Sequence, residues 1–237
     1  MIDKIRSHTA EPLAEVHSGA SIAIGGFGQV GVPVDLIDAL CEQDVRELHI
    51  IANNGGRGLP GERGIGRLLK ENRVRRFSCS FPINPTFFER YFNGEVEIEL
   101  VPQGTLAERL RAGGSGLGGF FTPTAAGTML ADGGFVTRHG DPEETLSTKE
   151  SRVINGRTYV FEEPLRPDFA LVKAHRADRY GNLRFRLGAR NFNPLAAMAA
   201  RTTIVQADHI GPLEPDDIHL PGPFVDHVVA TALEPAR

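Results

Sequence analysis

Seven consecutive residues, Gly25-Gly26-Phe27-Gly28-Gln29-Val30-Gly31, form the segment of this chain best suited to meeting a ligand. Glycines allow sharp turns and leave the backbone amides open to close approach. The segment follows a short apolar run, Ser21–Ile24, and precedes a helical pattern over 33–42, with Pro33 suited to a first turn. A helix start at that point adds a positive dipole end, which favours an anion or a developing oxyanion. Gly26-x-Gly28-x-x-Gly31 also fits the dinucleotide fingerprint and so raises an NAD-dependent oxidoreductase. That site needs an acidic residue at the end of the second strand to hold a ribose, and Asn53 and Asn54 stand there instead. A tight turn with no ligand is the remaining alternative.

Asn53-Asn54-Gly55-Gly56 closes an apolar run, Leu48–Ala52, where open α/β sheets bind their ligands. Neutral amides there donate to a carboxylate or thioester oxygen without titrating, although the same residues also make plain turns. Pro102-Gln103-Gly104 is a second corner of this kind. No nucleophile accompanies these donors. Ser115 sits in GGSGL, which fails G-x-S-x-G, and the eight histidines form no HExxH or other metal pattern. Lys173 in FALVKAH reads as a strand-end lysine reaching solvent, Met129 and Met198 as core fillers, and Arg73, Arg75 and Arg76 as a solvated strand start.

Composition narrows the classes further. With 237 residues, 41% hydrophobic and 24% charged, the chain has material for one large core. A net charge of −4 argues against a nucleic-acid partner. Cys41 and Cys79, with no CxxC, fit a reducing compartment, and the charge-laced first 19 residues lack the apolar region of a secretory signal. Apolar runs are too short to span a membrane. A cytoplasmic protein without a metal or a tightly bound cofactor is expected.

The elements that must position these residues alternate. Residues 3–17 predict an amphipathic helix. Strands are expected at 21–24, 48–52, 74–80 and 95–101, with helices near 33–42, 62–71, 85–93 and 104–111. The Gly-dense stretch 113–134 reads as loops with short strands. Asn155-Gly156 suits a type I′ turn between 152–154 and 157–161, and 168–174 with 183–187 suggests a second hairpin. A helix over 193–200 and strands at 202–207 and 224–230 complete the pattern. The expected fold is one α/β domain over 1–237, an open, mostly parallel sheet flanked by helices on both faces with an antiparallel excursion.

IAIGGFGQVGVPVDLIDAL, IIANNGG, VPQGTLAERLRAGGSGLGGFFTPTAAGT, LVKAHRADRYGNLRFRLGARNFNPLAAMAA and IHLPGPFVDHVV together resemble the alpha subunits of family I CoA-transferases. The resemblance covers nearly the whole chain, in the family's order. It implies a beta partner, often in an α2β2 assembly, and transfer of CoA from succinyl-CoA to acetoacetate or 3-oxoadipate. A glutamate of the beta subunit, in a Ser-Glu-Asn-Gly-like motif, would carry the covalent intermediates. No Glu of this chain is followed by Asn-Gly. By the same resemblance Gly25–Gly31 would contact CoA, Asn53, Asn54 and Gln103 would line the pocket, and no catalytic nucleophile is expected here. Arg57–Pro60 falls where the family varies. Phe77–Pro82 leans towards 3-oxoadipate enzymes, and ARNFNPLAAMAA towards acetoacetate ones. A non-catalytic acyl-CoA-binding protein is the other alternative.

Overall fold

The structure, a computed structural model, describes residues 2–59 and 61–231. In chain order its first half holds β1 (Ile5–Arg6), α1 (Ala10–Leu13), β2 (Ser21–Ile24), α2 (Val34–Cys41), β3 (Leu48–Asn54), α3 (Ile65–Lys70), β4 (Val74–Phe81), α4 (Pro85–Phe92), β5 (Glu97–Leu100) and α5 (Gln103–Gly114). The second half holds β6 (Phe120–Thr122), α6 (Met129–Asp132), β7 (Val136–Arg138), β8 (Glu144–Thr145), β9 (Ser151–Ile154), β10 (Arg157–Glu162), β11 (Phe169–Ala177), β12 (Leu183–Arg184), α7 (Asn193–Ala199), β13 (Thr202–Ile210) and β14 (His227–Ala230).

One sheet runs β1-β14-β13-β11-β2-β3-β4-β5, parallel at every step, with β12 antiparallel to the end of β11. Alternate side chains of each strand serve opposite faces. Leu48 and Ile50 of β3 join Leu36, Leu40, Leu68 and Phe87 of α2, α3 and α4 in one core layer. Ile51 joins Leu106 and Leu110 of α5 and Ala196 and Ala197 of α7 in the other. Burial on both faces explains the near-continuous apolar strands. Each fully buried Leu, Ile or Phe contributes roughly 1.5–3 kcal/mol by leaving water, so Phe77, edge-on to Phe87 at 5.5 Å, is among the costliest to truncate.

Local chemistry sets several boundaries. Asn84 caps α4 by accepting from the Thr86 amide at 3.0 Å, Pro85 occupies its first turn, and Gly94 at φ 75° follows its end. Helix α2 has no cap from its own residues. Instead Gln206 Oε1, reaching from β13, accepts from the Asp35 and Leu36 amides at 3.0 and 3.3 Å. The β9–β10 hairpin closes at Asn155-Gly156, both at positive φ as a type I′ turn requires. The second hairpin is reduced to two pairs, Arg176 with Arg184 and Ala177 with Leu183.

Four expectations are corrected. The helix over 3–17 is a two-residue strand and a four-residue helix, because Ile5 and Arg6 pair with Val228 and Val229 while Lys4 Nζ binds the carbonyls of Gly222 and Val225. Tertiary pairing overrides the helical period there. Gly113 and Gly114 belong to α5 and not to a loop. A Cβ on them would lie 1.9 Å from the Leu165 carbonyl oxygen and 2.6 Å from that of Met198, so they permit close packing. Arg73 and Arg76 are not merely solvated: Arg73 binds carbonyls of Cys41, Gln43 and Val45, and Arg76 pairs with Glu97 and Glu99. Met129 is exposed, whereas Met198 packs on the core.

Both cysteines are free and buried, and burial pushes the Cys41 thiol up to about 12. Among the described residues no helix is long and apolar enough to cross a membrane, and no His, Cys, Asp and Glu side chains cluster as a metal site.

Candidate active site

The parallel order places the ends of β2, β3, β4 and β5 side by side. The loop Gly25–Gly31 leaves β2, Asn53 and Asn54 end β3, and Gln103 opens α5 just beyond β5. With strands about 4.8 Å apart, β5 lies roughly 10 Å from β3 across the sheet. All ten residues expected at the site therefore converge on one edge.

The glycine-rich loop is a tight reversal. Phe27 and Val30 exchange both backbone hydrogen bonds at 3.0 Å around Gly28-Gln29, with Gly26, Gly28 and Gly31 at φ 122°, 61° and 76°. Behind the loop stands Asn193, fully buried at the start of α7. Its Oδ1 accepts from the Lys173 amide, and its Nδ2 donates to the carbonyls of Gly31 and Ala189, all at 2.9 Å. Asn191 adds a bond to the Val30 carbonyl at 3.0 Å. A Cβ on Gly25 would sit 1.9 Å from Asn193 Oδ1, and one on Gly31 would sit 2.8 Å from Nδ2. These two glycines are required by protein packing. Only around Gly28 is the space in front of the loop open, with Phe27, Gln29 and Val30 exposed beside it.

At the end of β3 both asparagines are buried but differ in use. Asn54 Oδ1 accepts from the Gly56 amide at 3.1 Å, closing a turn. Asn53 Oδ1 is buried with no hydrogen-bond partner among the described residues. An orphaned polar atom of this kind costs roughly 1–3 kcal/mol. A half-turn of the amide presents a donor in its place, so the group suits an incoming polar ligand. The following loop is held by Asn84 Nδ2 on the Gly55 carbonyl at 2.8 Å and by Glu62, whose carboxylate accepts the Arg57 and Gly58 amides. Gln103 is exposed on the first turn of α5, where the helix end is positive.

Beneath this edge, on the same face as Asn53, runs a buried polar chain. Ser78 donates to Glu99, so its lone pairs accept from His49 Nε2 at 2.7 Å, and Arg109 pairs with Glu99 at 2.8 Å. Burial, and then the charge of Arg76, lower His49 to about 4. Burial alone would raise Glu99, but Arg109, Ser78 and Arg76 outweigh it and hold the carboxyl at about 2. The chain of contacts is thus neutral imidazole, hydroxyl, carboxylate and guanidinium at neutral pH. Lys173 does not simply reach solvent. It pairs with Asp208 and binds Thr231 at 3.0 Å.

The sequence pattern missed Asn191, Asn193, Glu62 and Gln206, which shape the site without facing it. Asn193 lies 162 positions from the Gly31 that it holds, and no spacing rule links the two.

An open parallel sheet with amide donors gathered at the carboxyl ends of its strands is a ligand-binding α/β architecture. Residues 6–231 match the coenzyme A transferase family, and the chain belongs to that family. One of the two component chains of a 3-oxoadipate CoA-transferase from Pseudomonas putida is 46% identical over 238 residues, covering 98% of this chain and 95% of the relative. The corresponding component of a succinyl-CoA:3-ketoacid coenzyme A transferase from Helicobacter pylori is 38% identical, covering 96% and 92%. Among solved structures, an acyl-CoA transferase of Escherichia coli O157:H7, in a thioester complex with CoA, superimposes with a TM-score of 0.79 at 23% identity. That match takes in 97% of this chain and 47% of the other, and it speaks to the fold. Family membership sets aside the oxidoreductase reading of the glycine loop.

Proposed function

We propose that this chain acts, as one domain, as the alpha subunit of a CoA-transferase that moves CoA from succinyl-CoA to a 3-oxoacid, acetoacetate or 3-oxoadipate. A beta subunit contributes the glutamate that becomes covalently loaded. That carboxylate attacks the thioester carbonyl and expels CoA as thiolate, leaving a mixed anhydride. The thiolate then attacks the glutamyl carbonyl, giving glutamyl-CoA and releasing the donor acid. The acceptor carboxylate takes CoA by the reverse sequence.

Each attack builds negative charge on a carbonyl oxygen. Preorganised donors aimed at that oxygen lower the barrier, and one such donor is worth roughly 3 kcal/mol. Asn53, Asn54, Gln103 and the amides around Gly28 are assigned this role. The single observation that carries the reading is the buried, unpartnered Asn53 amide on the edge shared with the open Gly28 turn. The relatives, too, are named as single subunits of their enzymes, which implies a partner chain. Phe27, Val30, Leu59, Phe81 and Ile83 add exposed apolar surface to the loops and strand end along this edge, as a protein partner would require. An α2β2 assembly, CoA thioester as substrate with no tightly bound cofactor, and a cytoplasmic setting complete the proposal.

Co-expression with the chain encoded beside it, followed by thioester transfer from succinyl-CoA to a panel of 3-oxoacids, tests this reading. Transfer by the pair and not by either chain alone is expected. Full activity of this chain alone, or an acyl or CoA adduct trapped on one of its own glutamates, overturns it. An inactive pair that still binds acyl-CoA favours the non-catalytic alternative.

A further inference from the structure

Arg57 is an exposed cation on the site edge, in the loop that continues from Asn53 and Asn54, and its guanidinium has no hydrogen bond or ion pair among the described residues. Its surroundings are otherwise matched. Across the same cleft Arg63 is held by Asp35 at 2.8 Å and by Asp38. The Glu62 carboxylate is turned into the loop, with one oxygen on the Arg57 amide at 2.6 Å and the other on the Gly58 amide at 2.5 Å. The side chain is loose, but its backbone is anchored by that carboxylate and, two residues earlier, by Asn84 on the Gly55 carbonyl. The cleft has a volume of about 450 Å³ and is bounded by Gln29 of the glycine loop and by Val34, Arg57 and Leu59.

We propose that Arg57 binds an oxyanion of the substrate remote from the reacting thioester, and so sets which acyl groups are accepted. This rests on the CoA-transferase reading above. A guanidinium offers paired donors that match a carboxylate or phosphate. Two sources exist in a CoA-transferase: the second carboxylate of a dicarboxylic acid, and the phosphates of CoA. Position favours the carboxylate. Arg57 is four residues beyond Asn53, so their Cα atoms are at most about 14 Å apart, whereas the pantetheine arm carries the phosphates far from the thioester. Arg57 thus discriminates dicarboxylic acids, such as succinate or 3-oxoadipate, from acids with a single carboxylate.

The test is isotope exchange between a thioester and its own labelled acid, measured in the complex of this chain with its partner subunit. Succinyl-CoA with succinate and acetoacetyl-CoA with acetoacetate each involve one acid only. In Arg57→Gln, kcat/KM for succinate exchange is expected to fall about tenfold to a hundredfold through KM, the size of a lost charge-assisted contact. Acetoacetate exchange should be unchanged, and Arg57→Lys should recover part of the loss. If KM for both CoA thioesters rises alike, while acetoacetyl-pantetheine is unaffected, the oxyanion is a CoA phosphate. Equal kinetics of Arg57→Gln and wild type in every arm overturn the proposal and leave the CoA-transferase reading standing. Absence of exchange in the wild-type complex removes that reading and the proposal with it. Arg46→Gln, at an exposed residue before β3 and paired with Asp44, is the control expected to change nothing.

Discussion

Replacing Gly25 by alanine tests whether packing against Asn193 sets the shape of the glycine loop. Gly25 is not held at positive φ, so alanine carries no backbone penalty and even stabilises by roughly 0.4–1 kcal/mol through the unfolded chain. Its methyl group would, however, lie 1.9 Å from Asn193 Oδ1 and 2.5 Å from Cγ. Asn193 must then leave, giving up three hydrogen bonds of 2.9 Å. At about 1 kcal/mol each, and with the Lys173 amide left unpaired, the loss is about 3 kcal/mol. Gly25→Ala should therefore cost about 2–3 kcal/mol, and Asn193→Ala about 3 kcal/mol by the same losses. In the double variant the obstructing atoms are absent, and the nearest remaining contact of the three is Asn193 Cα at 3.1 Å. The pair should cost about 3 rather than 5–6 kcal/mol, a coupling of about 2–3 kcal/mol. Urea midpoints of the four proteins measure it. Equal cost of Gly25→Ala in both backgrounds would refute the packing argument and return Gly25 to a ligand-approach role.

Acid sensitivity follows from the His49 and Glu99 chain. Between pH 6.5 and about 4 the unfolded chain takes up a proton that folded His49, lowered to about 4, refuses, so stability falls as pH drops through that window. The loss approaches roughly 3 kcal/mol. Glu99 extends the decline from pH 4.5 towards 2. Unfolding free energies measured against pH should show His49→Gln flattening the upper window alone; an unaltered slope contradicts the assignment. Gln103→Ala, at an exposed first-turn residue, should leave the fold and the assembly with the partner intact while kcat falls on the order of a hundredfold. Unchanged kcat/KM in the assembled enzyme removes Gln103 from the site.

Much of the fold was legible because burial writes itself into short runs. The apolar strands Ile22–Ile24 and Leu48–Ala52 could belong only to a sheet covered on both faces, and Asn155-Gly156 announced its hairpin. Misreadings arose where a distant segment overruled a local period. Ile5 and Arg6 pair with residues more than two hundred positions away, and Gly113-Gly114 serve packing against Leu165 and Met198.

For the site, the sequence by itself determined which residues can donate or turn: the glycines of Gly25–Gly31, the amides of Asn53 and Asn54, and Gln103 at a strand-to-helix corner. Those properties are intrinsic to residue type and to neighbours within a few positions. Tertiary structure alone decided which of them face a ligand. Asn193 occupies the space behind Gly25 and Gly31 and leaves Gly28 open; Asn54 closes a turn, while Asn53 next to it goes unpaired. The physical reason is that hydrogen-bond capacity is local, whereas its satisfaction depends on groups the fold brings from far along the chain.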